Sequence, residues 1–437
     1  MKKTWLKRLT VLALTLCLLL SLTACQPVFQ TLLQGKKTGA QSLMEDIKAQ
    51  KVSGLKSDEN FRALYDQFAA ALLKESYGLE ENKNILLSPL SVMTALGMTA
   101  MGARGETLKE MEAVLLGGAQ NREGKSLGIE DLSRYLYEYY QKLPSADESR
   151  FTFGNSIWFR DEAGFEVEKE FLQINKNYYD PDIYKAPFDA GTVRDINQWV
   201  DSKTEHLIPQ VLEELDERDM MALINALLFD AKWDNPFGSN AEYSGSFRAL
   251  GGAERKVTMM NGGGLYLIDE GDTIGMMKAY GGDKYRFAAL MPRDEKADFD
   301  RFVYSLDGEK LQLLLGSVKN WDFTLVMPKF TAEFSTDLVK ALGNLGMRGA
   351  FDSGADFSGI SQTMPLAIGQ VVHKTRLELD NDGTKAAAVT VVMATKAAMP
   401  VPGRIDAIVL DRPFVYMIID TENQLPIFLG TMTDIEP

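Results

Sequence analysis

An α+β fold built on large, mainly antiparallel sheets is predicted by three features of this 437-residue chain. Helix-period segments crowd its first part, strand-like runs dominate after residue 150, and the two never alternate as a parallel βαβ sheet requires. Asp58 or Ser57 can cap a helix whose apolar residues Phe61, Leu64, Tyr65, Phe68 and Leu72 recur at helical spacing. Further helices are expected over residues 89–101, 107–115, 129–143 and 193–200. Strands are expected over 151–159, 222–229, 286–291, 322–327, 371–379, 389–393, 414–420 and 427–432. No repeat and no linker divides the chain after Ser57, so a single domain is expected over 57–437.

The N-terminus carries an address. Lys2, Lys3, Lys7 and Arg8 precede the apolar run 9–20, which is too short for a membrane-spanning helix and fits a signal peptide over 1–24. Leu22-Thr23-Ala24-Cys25 is similar to a bacterial lipobox, which makes Cys25 the expected lipidated first residue of the mature chain. The alternative is an ordinary secretory signal cut near Ala24. A lipid on Cys25 implies the membrane as a partner and an extracytoplasmic location. Residues 25–56 are polar and weakly periodic, and are expected to be a flexible tether.

Composition excludes more than it assigns. Hydrophobic residues make up 45% and charged residues 25%, enough for a sizeable core. The net charge of -14 argues against nucleic acid and against polyanionic cofactors, which need a basic stripe. The two cysteines, Cys17 and Cys25, can form no disulfide in the mature chain. The two histidines, His206 and His373, lie far apart in sequence, and no GxSxG elbow, HExxH or paired-cysteine zinc spacing occurs. Gly262-Gly263-Gly264 lacks phosphate-loop spacing and reads as a turn. No catalytic residue, cofactor or metal is expected, and the chain does not read as an enzyme.

The segment 383–399, GTKAAAVTVVMATKAAM, is small and β-branched and holds no proline. As a strand it would show Thr384, Ala386, Ala388, Thr390, Val392 and Ala394 on one face. Lys385, Ala387, Val389, Val391, Met393 and Thr395 would fall on the other. The first face is uncharged and could be buried between existing strands. Alternatively the segment is an ordinary strand already paired. Pro400, Pro402 and Gly403, immediately beyond, read as exposed loop.

Seven segments in order carry a family resemblance: NILLSPLSVMTALGMTAM (84–101), NSIWF (155–159), LINALLFDAKWDNPF (223–237), MPKF (327–330), FDSGADFSGIS (351–361), residues 372–388 and RPFVYMIIDTENQLPIFLGTM (412–432). In these the chain resembles the serpins. The resemblance implies eight or nine helices and an exposed reactive-centre loop over about 383–407. It also implies a metastable native state in which this loop is bait: a protease cleaves it, is caught as an acyl-enzyme, and the freed hinge inserts into the main sheet.

Residue by residue, Gly383, Thr384, Lys385, Ala386, Ala387 and Ala388 match the hinge. Ser88, Ser91, Asn225 and His373 match the shutter beneath the main sheet, and Trp233 and Lys329 the breach at its top. Lys329 often pairs in the family with an acid two positions before the hinge glycine. Here that position is Asn381, so the pair is missing unless Asp380 or Asp382 substitutes. The family often has Glu where this chain has Lys385.

Counting forward from Gly383 places the scissile bond at Ala397–Ala398, and counting back from Arg412 places it near Pro402–Gly403. The forward count is preferred because hinge length governs how far a protease is dragged. Ala397 suits an elastase-like pocket, and Lys396 is the alternative bait for a trypsin-like one. Met399 and Arg404 rank lower. The expected partner is a serine protease held covalently by a monomer. A cysteine protease target and a non-inhibitory surface lipoprotein on the same scaffold are the alternatives.

Overall fold

Strand-forming segments sort into two sheets according to what their side chains can bury. The structure, a computed structural model, describes residues 39–120, 124–143, 149–216, 218–238, 240–384 and 405–435. The first sheet runs β1 (Gln41–Ser42), β4 (Asp182–Ala186), β3 (Ser149–Arg160), β5 (Met221–Lys232), β13 (Gly383–Thr384), β12 (Gln370–Leu379), β11 (Phe330–Asp337). The second runs β14 (Ala407–Val409), β10 (Lys319–Pro328), β7 (Glu254–Glu270), β8 (Thr273–Ala279), β9 (Tyr285–Pro292), β15 (Phe414–Asp420), β16 (Leu425–Met432), β2 (Ile85–Leu87). Strand β6 (Glu242–Arg248) pairs beside β7. Pairing is antiparallel except for β3 with β4, β5 with β12 and β10 with β14.

Nine α-helices occur among the described residues: α1 (Glu59–Leu79), α2 (Pro89–Ala100), α3 (Gly105–Leu116), α4 (Ile129–Tyr140), α5 (Lys169–Tyr178), α6 (Ala190–Lys203), α7 (Phe299–Ser305), α8 (Gly308–Gly316) and α9 (Val339–Leu345). Asp58 caps α1, its carboxylate accepting from the Phe61 N–H at 2.9 Å. Ser88 caps α2 by accepting from the Ser91 N–H, and Pro89 sits in the first turn, where no N–H is needed. Every residue of α2 is buried, so it runs through the core.

β5 shows how the layers are made. Met221, Leu223, Leu227 and Phe229 face the main core, whereas Ala222, Ile224 and Ala226 face a smaller cluster with Ile196, Trp199 and Val200 of α6. Trp158 and Val372 complete that cluster. A strand buried on both faces reads as an unbroken apolar run, as this one does. Helix α6 therefore lies across the outer face of the sheet over β3 and β5, with Val372 of β12 at the edge of the cluster.

Two expectations change. The glycines at 262–264 form no turn; they lie within β7, opposite Leu325, Thr324 and Phe323 of β10. A Cβ at Gly262 would lie 2.8 Å from the Phe237 ring, and one at Gly264 would overlap Phe323, so aromatic rings resting on the strand demand glycine there. Residues 39–56, expected to belong to a flexible tether, lie along the body instead. β1 pairs with β4, the Leu43 N–H donates to the Ile183 carbonyl (2.8 Å), and the Leu55 N–H to the Arg134 carbonyl (3.0 Å). Met44 is buried. Satisfied backbone groups and a few apolar anchors fix what composition alone reads as linker.

Candidate functional site

The site is the seam between β5 and β12. Over its lower part the two strands pair directly, from Gln370 opposite Ala222 to Arg376 opposite Leu228. Above that they part, and β13 lies between them: Gly383 opposite Lys232, and Thr384 opposite both Ala231 and Leu379. The expected hinge thus already has its first two residues in the sheet. The sequence permits this locally. Asp380 closes the turn, its Oδ1 accepting from the N–H groups of Asp382 (2.9 Å) and Gly383 (3.1 Å). At Gly383 a Cβ would overlap the Ala231 carbonyl oxygen and lie 2.6 Å from Lys232 Cα, so only glycine passes.

The top of the seam is built on Trp233. Its indole stacks on Tyr280 at 4.4 Å and 11°. Its Nε1–H donates to the Asp380 carbonyl (2.9 Å) and its backbone N–H to the Asp382 carbonyl (2.8 Å). The Phe237 N–H holds the remaining turn carbonyl, that of Asn381 (2.9 Å). Thr384 is fully buried, with its hydroxyl 2.7 Å from the Tyr280 hydroxyl. Lys329 is paired elsewhere, with Glu242 at 3.3 Å. Asp380 is committed to the turn, so it does not supply the acid that Asn381 lacks.

The lower seam holds a polar cluster in an apolar setting. The Ser88 N–H donates to His373 Nε2 (3.1 Å), which leaves Nδ1–H to donate to Asn225 Oδ1 (2.7 Å). Asn225 Nδ2 donates to Ser91 Oγ and to Asn155 Oδ1. Thr375 Oγ1 donates to the Leu86 carbonyl (2.6 Å). Burial pushes the His373 imidazole down to about 3, so it is neutral and bonds as one fixed tautomer. Each buried polar group here has a partner, and separating β5 from β12 removes one from both His373 and Asn225.

The described residues that flank 385–404 are Thr384 and Ile405. Thr384 lies in the first sheet; at the other end, Trp321 Nε1–H donates to the Ile405 carbonyl (2.9 Å) and the Thr324 N–H to the Asp406 carbonyl (2.8 Å). β14 then pairs with β10 of the second sheet, so the chain is tied down from Ile405 rather than from about 407. Lys385, Ala386, Ala387, Ala388, Lys396, Ala397, Ala398 and Cys25 lie outside the described residues.

The structure gathers Ser88, Ser91, Asn225 and His373 into one network and places Trp233 at the hinge turn. It also adds Asn155, Tyr280 and Phe237, which sequence reasoning did not single out, and gives Asp380 the turn in place of the pairing with Lys329 considered for it. Asn155 could be found only through register, since its partner Asn225 is 70 residues away. Neither histidine resembles a catalytic base: His373 is sealed in the core, and exposed His206 is bound to Asp201 (2.6 Å).

A family profile described as serpin (serine protease inhibitor) matches residues 63–435. The chain is 28% identical over 402 residues to alpha-1-antiproteinase of Rattus norvegicus, covering 90% of this chain and 94% of that one. It is 30% identical over 375 residues to a serpin-like protein of Thermococcus kodakarensis, covering 84% of each. Among solved structures, the thermophilic serpin tengpin in its native state superposes with a TM-score of 0.83 at 40% identity, covering 91% of this chain and 100% of that one. Tengpin in its latent state gives 0.73 at 36% identity, covering 89% and 100%. With the split seam, the entering strand and these matches in hand, the chain belongs to the serpin family.

Proposed function

We propose that this protein is an irreversible suicide-substrate inhibitor of serine endopeptidases, with residues 385–404 as bait. The observation that carries this reading is the placement of β13 in a seam that stays shut below it. The strand register then dictates where the rest of the hinge goes. Extending the pairs Gly383–Lys232 and Thr384–Leu379 downward runs the slot to about Ala394, where β5 and β12 end. Thr384 points inward, so Ala386, Ala388, Thr390, Val392 and Ala394 follow it onto the buried face. Val391 and Met393 would fall opposite Ile224 and Ala222, on the face covered by α6. Nothing on the inward face is large or charged.

Some ten residues of new strand at ~3.3 Å each would carry an acylated protease roughly 30 Å along the sheet. Capture is a race between that movement and hydrolysis of the acyl-enzyme. In this reading Trp233 and the turn that it holds form the entry. His373, Asn225, Ser88 and Ser91 form the gate that must part. The better fit to native than to latent tengpin supports a loop that has entered only by its first residues.

Ala397–Ala398 is the proposed scissile bond, which favours an elastase-like target, with Lys396 as the trypsin-like alternative. The lipobox-like LTAC supports extracytoplasmic anchoring through Cys25. Mixing the mature chain with elastase should give a covalent complex that survives denaturant, and a released fragment that begins at Ala398. Cleavage without complex by elastase-, trypsin- and subtilisin-like enzymes alike would defeat the inhibitory reading. A Cys25→Ser variant should leave the membrane fraction; retention there would defeat the anchor.

A further inference from the structure

Lys278 is a buried cation that the mechanism above does not use. It lies on β8 beneath the Trp233 segment and is only 8% exposed. Its Nζ donates to the Asn235 carbonyl at 2.6 Å and sits 4.5 Å from the centre of the Phe237 ring and 5.4 Å from that of Trp233. An ammonium costs free energy in such a place unless its contacts are strong. Burial lowers its proton affinity, and the Asp234 carboxylate partly restores it.

The segment that Lys278 grips is the one that grips the loop. Residues 233–237 contribute every hydrogen bond to the carbonyls of Asp380, Asn381 and Asp382 described above. On the other side this segment is fastened to the second sheet by the Asp234 N–H on the Ala279 carbonyl (3.0 Å) and by the Lys278 ammonium on Asn235. Tyr280, two residues beyond Lys278, bonds Thr384 itself. One end of β8 therefore reaches the start of the hinge by two routes, through Tyr280 to Thr384 and through Lys278 and residues 233–237 to the turn before Gly383.

We propose that Lys278 is a positioning residue for the reactive loop: its ammonium clamps the 233–237 segment, which keeps Gly383 and Thr384 preloaded in the top of the seam. A preloaded hinge starts insertion already nucleated, and the remaining strand only has to zip downward. Loss of the clamp frees the turn and delays commitment. The kinetic half of this proposal rests on the inhibitory reading; the positional half does not.

The test is hydrogen–deuterium exchange on the mature wild-type protein and on Lys278→Met and Lys278→Arg variants. Methionine keeps the volume without the charge; arginine keeps the charge. In Lys278→Met, exchange over 233–237 and 379–384 should quicken on the order of tenfold, the weight of one charge-assisted hydrogen bond. Exchange over 222–228 and 370–376 should be unchanged, and Lys278→Arg should restore most of the protection. Unchanged exchange at the turn, equal loosening of the lower seam, or no restoration by arginine would overturn the positional claim.

The ratio of cleaved to complexed inhibitor with elastase should also rise on the order of tenfold in Lys278→Met. A loosened turn with an unaltered ratio would overturn the kinetic half alone. If wild-type protein forms no complex with any protease, the inhibitory reading falls, and exchange still decides whether Lys278 positions the turn.

Discussion

His373 donates from Nδ1 to Asn225 Oδ1 at 2.7 Å, across the two strands that would separate under the proposed insertion. The residues are register partners, and Asn155 stands opposite Asn225 on its other side. Carrying the β13 register down the slot brings Thr390 opposite both His373 and Asn225. A threonine hydroxyl is donor and acceptor at once, so it can satisfy both groups that insertion leaves unpaired.

Thr390→Val should therefore insert but leave buried polar atoms unsatisfied, at about 1–3 kcal/mol. The unfolding midpoint of the cleaved form should drop by roughly 2–10 °C relative to cleaved wild type. Thr390→Arg should instead be cut without capture, because an unpaired charge would be driven into the core. Capture by the arginine variant at wild-type efficiency would show that the register does not continue as drawn.

On the proposed insertion Lys385 would be the next residue to enter, and the register of Gly383 and Thr384, carried on, would put it between Asp230 on β5 and Glu378 on β12. Those carboxylates already bind Arg150 and Arg376, on a face that α6 leaves open. A lysine suits that position, whereas Lys385→Glu would place a third carboxylate there. With solvent screening the cost is about 1 kcal/mol, so insertion should slow roughly fivefold and the cleaved fraction should rise to match. Stopped-flow measurement of protease capture would show it; an unaffected or faster rate would remove Lys385 from this slot.

Gly383→Val should be more disruptive than its place beside a half-buried turn suggests. The new side chain would collide with the Ala231 carbonyl and the Lys232 backbone. The variant should fold, since the clash is relieved by withdrawing β13, but it should behave as a substrate. Covalent complex at wild-type yield on denaturing gels would contradict the close approach seen here.

Much of this was legible beforehand, and the rest failed for identifiable reasons. The polar residues of the lower seam were legible through the serpin-like segments that carry them, such as NILLSPLS and LINALLF. Lys278 and Tyr280 did not, because a lysine in a strand-like run is ordinarily a solvated residue, and only the tertiary pairing of β8 with the Trp233 segment buries it. The 262–264 glycines were misread because the reason for them, rings from Phe237 and Phe323, comes from elsewhere in the chain. Residues 39–56 misled by composition: Leu43, Met44, Ile47 and Leu55 have no common period, yet all four pack on the core.

Asp66 offers a test of the core that is independent of the loop. It is fully buried on α1 with Gln312 of α8 and Arg62 nearby, and burial raises its carboxyl to about 7. A folded acid near 7 that sits near 4 when unfolded binds its proton more tightly when folded. Its cost is therefore absent below about pH 4, grows as pH rises, and is complete above pH 7. Asp66→Asn should melt several degrees above wild type at pH 8 and converge with it near pH 4. His373, held low, weakens both proteins alike as pH falls from about 6.5 toward 3, and cancels in the comparison. Equal midpoints at pH 8 would mean that the carboxylate is paid no desolvation cost.

The strand-insertion claim is tested most directly by thermal unfolding before and after a single cut in the 385–404 loop. About a dozen new ladder hydrogen bonds at a net ~1 kcal/mol each amount to on the order of 10 kcal/mol. At roughly 2–4 °C per kcal/mol, the cleaved protein should melt about 20–40 °C above the intact one. An unchanged or lower midpoint would mean that the freed hinge stays outside the sheet, and the seam between β5 and β12 would not be the functional site.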